Sequence, residues 1–200
     1  MPNAPSQRNN RAYCFRGIVV VLAAAGALAI GAWTGRQWLL LSVAHLWIVA
    51  DPIGPADAAA VFGGGAADRP FAAAQYYRQG LIKKILVDSP DSEAILLSLG
   101  TPASAIETFG TALRNTHQET LALRDWAKRH DMRSIIVPTE IFPTRRVYWM
   151  LHRAFPSTFV IRVIALDPPN YHRDDWWLHR QGVIAFKTEI IKYLYYVLAY

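Results

Sequence analysis

The chain is predicted to adopt an α/β fold: an open, Rossmann-like three-layer sandwich with a mainly parallel sheet, preceded by one transmembrane helix. Three observations carry this. From Ala58 onward, short β-branched or apolar runs alternate with helical stretches of roughly 10–15 residues, the pattern of βαβ crossovers that cover both faces of a parallel sheet. The first such run ends in Gly63-Gly64-Gly65, where a strand must turn tightly into a helix. Upstream, Gly17–Gly35 is 19 residues without a charge, which at ~1.5 Å rise per residue matches the ~30 Å hydrocarbon thickness of a bilayer.

The elements follow in order. Arg8, Arg11 and Arg16 form a basic arm over residues 1–16, and residues 17–35 are the span, with Trp33 and Trp38 near its far interface. Three arginines before the span against Arg36 after it favour a cytoplasmic N-terminus and an exported domain. A cleaved signal peptide is the competing reading, because Ala27-Leu28-Ala29 has the small-residue pattern of a cleavage site. Residues 36–55 read as an interfacial helix, Leu39–Ala50, and a linker whose Asp51-Pro52-Ile53-Gly54-Pro55 stops it. The domain, 56–200, then runs as strand Ala58–Phe62, helix Asp68–Gln79, strand Lys84–Val87, helix Asp91–Leu99 and a brief strand Ala105–Thr108. It continues with helix Asn115–His130, strand Ser134–Val137, helix Thr144–Ala154, strand Thr158–Ile164 and a long helical pattern over Asp174–Tyr200.

Composition narrows the function classes. At 52% hydrophobic and 18% charged, against a typical ~25% charged, the chain is neither disordered nor collagen-like. The net charge of +6 suggests nucleic acid until it is located: half of it lies in the arm, leaving 18 basic against 15 acidic residues beyond residue 35. A nucleic-acid partner is therefore not expected. The single cysteine, Cys14, lies before the span, so the domain has no disulfide and no redox pair. The six histidines show no metal-ligand spacing, no metal site is predicted, and the residues name no cofactor.

In a doubly wound sheet, ligands bind at the carboxyl ends of the strands, which directs attention to the glycine run, to Asp88-Ser89 and to Pro138-Thr139-Glu140. Gly63, Gly64 and Gly65 would let backbone amides approach an anion, and Arg69 would add a charge-assisted contact. Neither the dinucleotide fingerprint nor a phosphate-binding G-K-[ST] loop is met, since Asp68 stands where the last glycine would fall. Arg145-Arg146 opens a helix against its macrodipole, which calls for a bound anion or an acidic partner. Asn115, Thr116 and Glu119 have the form of a helix-capping arrangement, and Glu93 is an acid at a helix start, where it is favourable without any further role.

Taken together, the anchor, Ala56–Gly65 with Arg69, Glu93-Ala94, Asn115-Thr116-x-x-Glu119, and a strand ending at Thr139 with Arg145 resemble the YdcF/SanA/ElyC-like family, domain of unknown function 218. The terminal Trp176-Trp177…Gly182…Glu189…Lys192-Tyr193 is similar to the C-terminal helix of its envelope members. The resemblance covers about residues 56–197. It implies a Rossmann-like fold, an inner-membrane anchor with a periplasmic domain, and a role in envelope or lipid-carrier homeostasis. It also implies that Gly63, Gly64, Gly65, Arg69, Glu93, Asn115, Thr116, Glu119, Thr139 and Arg145 gather at the strand ends. One departure stands out: Phe142 occupies the position where the family pattern carries a histidine, so a proton shuttle assigned to that imidazole has no equivalent.

The leading functional expectation is binding, and processing, of an anionic ligand, phosphate-bearing or lipid-linked, with Glu93 or Glu119 as acid/base. Two alternatives from other classes stand beside it. One is a nucleoside-type module binding a molecule like S-adenosylmethionine. The other is a non-catalytic envelope scaffold that docks through the aromatic C-terminal helix.

Overall fold

The structure, a computed structural model, describes residues 7–64 and 68–200, with side chains from Arg16 onward. It divides into two compact units between Val43 and Ala44. The first contains α1 (Gln7–Thr34), whose stretch Arg16–Thr34 is long and apolar enough to cross a membrane and buries none of its surface against the protein. α2 (Arg36–Trp47) leads out of this unit and ends in the next.

The second unit is the α/β sandwich. Five parallel strands, β1 (Ala58–Val61), β2 (Lys84–Val87), β3 (Ile106–Thr108), β4 (Ser134–Glu140) and β5 (Val160–Leu166), lie in the order β3-β2-β1-β4-β5. Between them run α3 (Asp68–Arg78), α4 (Pro90–Ser98), α5 (Thr116–Arg129) and α6 (Thr144–Ala154), and α7 (Arg180–Ala199) closes the chain. β1 shows why both faces are covered. Its Ala58 and Ala60 pack with Leu123 and Trp126 of α5 and Leu151 of α6, while Ala59 and Val61 pack with Ala73 and Ala74 of α3 and Leu96 of α4. Alternation with period two sends successive residues into the two core layers. Each fully buried leucine contributes about 1.5–3 kcal/mol, and that apolar burial holds the disulfide-free domain together.

Because β1 lies between β2 and β4, the chain order reverses beside it, and the carboxyl ends of β1, β2 and β4 border the switch point. β4 runs three residues further than the predicted Ser134–Val137, carrying Thr139 and Glu140 to that edge. Pro138 is tolerated in it because β4 pairs with β1 only at Ile135 and Ile136, so the side beyond is an open edge.

Two boundaries differ from expectation. Residues 36–55 were expected as an interfacial helix and linker, but from Ala44 the segment belongs to the sandwich. Asp51 donates its N–H to the Val163 carbonyl (3.0 Å), its carboxylate accepts from Val163 N–H (2.8 Å), and Val49 N–H donates to Thr144 Oγ1 (3.0 Å). The final helix begins at Arg180 rather than Asp174, after a short 3₁₀ turn over Trp176–Leu178. Trp176 turns inward there, and Phe142, Tyr171, Trp176 and Phe186 form one aromatic cluster. Phe142 is fully buried in it, which accounts for an aromatic ring at the position where the family resemblance implies histidine.

Gly182 is what lets α7 start against that turn: a Cβ there would lie 2.3 Å from the Trp176 carbonyl oxygen and 2.9 Å from its carbonyl carbon. Gly182→Ala is expected to destabilise the domain by about 1–3 kcal/mol through backbone overpacking, read as a drop of several degrees in Tm; an unchanged Tm would show that α7 is not seated there.

Candidate functional site

A cleft of about 910 Å³ opens at the carboxyl ends of the central strands. Gly63 and Gly64 of the loop after β1, Asp88 after β2, Thr139 and Glu140 of β4, and the first turn of α5 line it, and α7 forms one wall through Glu189, Lys192, Tyr195 and Tyr196.

Its floor is a carboxyl pair. The Gly63 N–H donates to Asp88 Oδ2 (3.0 Å) and to Glu119 Oε1 (2.9 Å). Gly63 packs closely on Asp88, since a Cβ would sit 3.0 Å from Asp88 Oδ1 and the carboxyl would have to give way, and Gly64 turns the chain with φ +68°. Glu119 lies in the first turn of α5, where the helix dipole favours a charged carboxylate. Burial outweighs that. Desolvation first, then the hydrogen bond to Asp88 and its charge, push the Glu119 pKa up from 4.5 to about 8, against the lowering effect of the Gly63 N–H. At neutral pH Glu119 holds a proton that it shares with Asp88, whose Oδ1 is otherwise buried without a partner. A carboxylic acid kept neutral beside a second carboxyl group can give up a proton to a bound ligand and take it back.

The arginines are committed differently from expectation. Arg69 is buried and forks onto Glu140, with Nε 3.2 Å from both carboxylate oxygens and Nη2 2.5 Å from Oε2. Its Nη1 donates to the Phe62 (3.0 Å) and Gly63 (3.2 Å) carbonyls. Its main work is therefore to hold the glycine loop against β4. Arg145 is not brought to the cleft: its guanidinium caps the C-terminal end of α2, donating to the Trp47 carbonyl (2.9 Å) and the Leu46 carbonyl. The residue next to it is the one that faces the site. Arg146 is buried, donating to Glu189 (2.8 and 3.2 Å) and to Thr116 Oγ1 (2.5 Å) over the Tyr196 ring. Neighbours on a helix are 100° apart, so one arginine points to α2 and the other to α7, and each has the partner that a cation in a first turn requires.

Asn115 caps α5, its side chain accepting from Gln118 N–H at 3.0 Å. The Thr116 N–H donates to the Tyr196 hydroxyl (3.1 Å). Thr139 is buried in the lining, and its Oγ1 reaches Glu140 Oε2 at 3.4 Å. Glu93 does not line the cleft; it lies in the first turn of α4, the ordinary place for an acid. Gly65 lies outside the described residues. Sequence reasoning pointed to the strand ends that carry Asp88 and Glu140 and to the Arg145-Arg146 pair, but did not choose Asp88, Glu140, Arg146, Glu189, Lys192 or Arg114 as site residues. Asp88 had a usable signal, being the residue directly after a strand, and so did Glu140. The rim carries the exposed Arg114, whose guanidinium makes no ion pair among the described residues, and Lys192, which is half-exposed and 3.0 Å from Glu189 Oε1.

Comparison with protein-family models and with curated proteins finds no match. Among solved structures, the chain is similar to one described as the crystal structure of the reductase domain of the aureusimine biosynthetic cluster, with 15% identity and a TM-score of 0.26. The match covers 55% of this chain and 40% of that one, and so distant a likeness carries no functional weight.

Two predictions follow from these partners. Arg146→Ala leaves Glu189 buried with only Lys192 and is expected to cost about 3 kcal/mol, whereas Arg145→Ala, on a half-exposed helix end, should cost about 1 kcal/mol or less; denaturant unfolding of the two variants checks the order. Because Glu119 binds its proton more tightly folded than unfolded, the stability it contributes is complete below pH 4.5 and is lost as pH rises to about 8. Glu119→Gln should flatten the stability-pH curve across that window, and an unchanged slope would mean that Glu119 ionises normally.

Proposed function

We propose that the chain is a membrane-anchored cell-envelope protein, a member of the YdcF/SanA/ElyC-like family. In this reading, α1 is an inner-membrane span with a cytoplasmic N-terminus, and the sandwich is its periplasmic domain. The cleft binds and processes an anionic ligand that is phosphate-bearing or lipid-linked. The observation that supports this best is the meeting, at the switch point of the sheet, of a proton-holding carboxyl pair, Asp88 and Glu119, with the accessible cations Arg114 and Lys192. The exposed Arg114, together with Lys192, whose half-exposed ammonium also pairs with Glu189, receives the anionic group, since Arg69 is buried on Glu140 and Arg145 lies outside the cleft. A water molecule forms the new bond to phosphorus as the ester P–O bond breaks; Glu119, its proton oriented by Asp88, gives that proton to the departing oxygen and recovers one from the attacking water, leaving the alcohol and inorganic phosphate. Arg69 and Arg146 act as positioning residues, one for the glycine loop and the other for α7.

Support also comes from what the cleft is not. The loop amide that would approach a phosphate, Gly63 N–H, is taken up by the protein's own carboxyls. Anion recognition therefore moves from the glycine loop to the rim, and the loop becomes the support of the acid.

The test uses the full chain in detergent micelles, titrated with an isoprenyl phosphate and, separately, with inorganic phosphate. Arg114→Ala with Lys192→Ala is expected to weaken binding at least tenfold, the loss of charge-assisted contacts worth about 1.5–3 kcal/mol each. Glu119→Gln should retain binding while phosphate release from the ester falls by a factor of roughly 10²–10⁴. Equal affinity of the wild type and the double variant would overturn the assignment.

A further inference from the structure

The loop between β3 and α5, residues 109–115, carries Arg114 to the rim of the cleft, and both of its ends are fixed. At one end Phe109 is buried in the core and donates its N–H to the Val87 carbonyl at 3.0 Å. At the other, Asn115 caps α5 by accepting from the Gln118 N–H. A capping box would be closed by the Gln118 side chain returning to the N–H of the cap residue itself. Here it reaches one residue further: the Arg114 N–H donates to Gln118 Oε1 at 3.0 Å. A hydrogen bond that served only the helix end would fall on Asn115, whereas this one pins the backbone of the exposed arginine.

Between the fixed ends the chain takes a conformation that it does not favour. Ala112 sits at φ +55°, in the left-handed region where a Cβ crowds the following carbonyl. Such a turn persists only where its neighbours over-determine it. Leu113, the next residue, packs half-buried against the core and is folded back, so that a Cβ on Gly110 would meet its Cδ1 at 2.7 Å and the Cβ of Ala122 in α5 at 3.3 Å. Ala112, Leu113 and Arg114 all line the cleft, and so does Glu119, while Gln118 does not. Adjacent residues of a helix point about 100° apart, so Gln118 can hold the loop while Glu119 faces the ligand. We infer that Gln118 and Ala112 are positioning residues, one by its hydrogen bond and the other by its left-handed turn, and that they hold Arg114 toward the anionic group. The first turn of α5 then sets both the acid and the cation of the site. This assignment rests on the cleft being an anion site. A guanidinium on a free loop has to be ordered when the ligand binds, and one whose backbone is already held loses less affinity to that ordering.

The experiment is calorimetric titration of the full chain in detergent micelles with inorganic phosphate and, separately, with an isoprenyl phosphate. The proteins are the wild type, Arg114→Ala, Gln118→Ala, Ala112→Val, and the two double variants that add Arg114→Ala to each of the last two. Ala112 and Gln118 are exposed, and Tm reports that the fold is kept. Valine is β-branched and resists a positive φ more strongly than alanine does. Gln118→Ala and Ala112→Val are each expected to weaken binding about three- to tenfold, the ordering cost of one long side chain. Neither should weaken it further in the Arg114→Ala background, because residues that act through one partner are not additive. A merely structural role would weaken binding equally in both backgrounds. That result, or wild-type affinity in either single variant, would overturn the inference while a weakened Arg114→Ala leaves the anion site standing. Wild-type affinity in Arg114→Ala would also overturn it, and the double variant of Arg114→Ala with Lys192→Ala then decides whether the anion site falls too. A wild type that binds neither phosphate would overturn both.

Discussion

The buried ion pair between Arg146 and Glu189 is the constraint on which the functional half of this protein depends. It joins α6 to α7, and through Thr116 and Tyr196 it takes in the first turn of α5 as well. It adds a buried charged contact to the packing of Gly182 on the Trp176 turn and of Phe186 on Phe142 and Trp176, which together set the rotation of α7 about its axis. Two buried charges cost several kcal/mol each to desolvate, and their attraction offsets this only in one geometry. Such a pair therefore adds little net stability and a great deal of specification. Here it helps set which side of α7 closes the cleft, and by elimination which side faces outward.

The same exchange of a possible ligand contact for an internal one recurs across the site. Arg69 binds Glu140, the Gly63 amide binds two carboxyls, and Asn115 binds its own helix. Groups whose chemistry suits an anion are spent on fixing the loop and the acid. The Asp88–Glu119 pair shows the physics plainly. A helix N-terminus, an amide and the charge of Arg69 all favour ionisation, yet desolvation together with the neighbouring Asp88 carboxyl outweighs them.

Phe142 belongs to this picture. Its ring, in contact with Tyr171, Trp176 and Phe186, forms part of the wall that seats α7.

Much of the architecture was legible in local pattern: the uncharged run of Gly17–Gly35, the alternating strands and helices, and the glycines after β1 each reflect a constraint that acts over a few residues. Glu119 was selected for its place in a capping motif, Thr139 for its place at a strand end. What local pattern could not resolve was which of two adjacent arginines faces the site, that Asp88 meets Glu119, that Glu93 stays outside the cleft, and that the segment from Ala44 to Pro55 packs on the sheet. Those depend on partners 25 to 112 residues away in the chain, such as Gly63 for Asp88 and Val163 for Asp51. Periodicity and turn chemistry are properties of neighbours in sequence, and they settle the fold. Which polar group is buried against which is settled only when the sheet closes, because the cost of leaving a charge unpaired exists only after water has been removed.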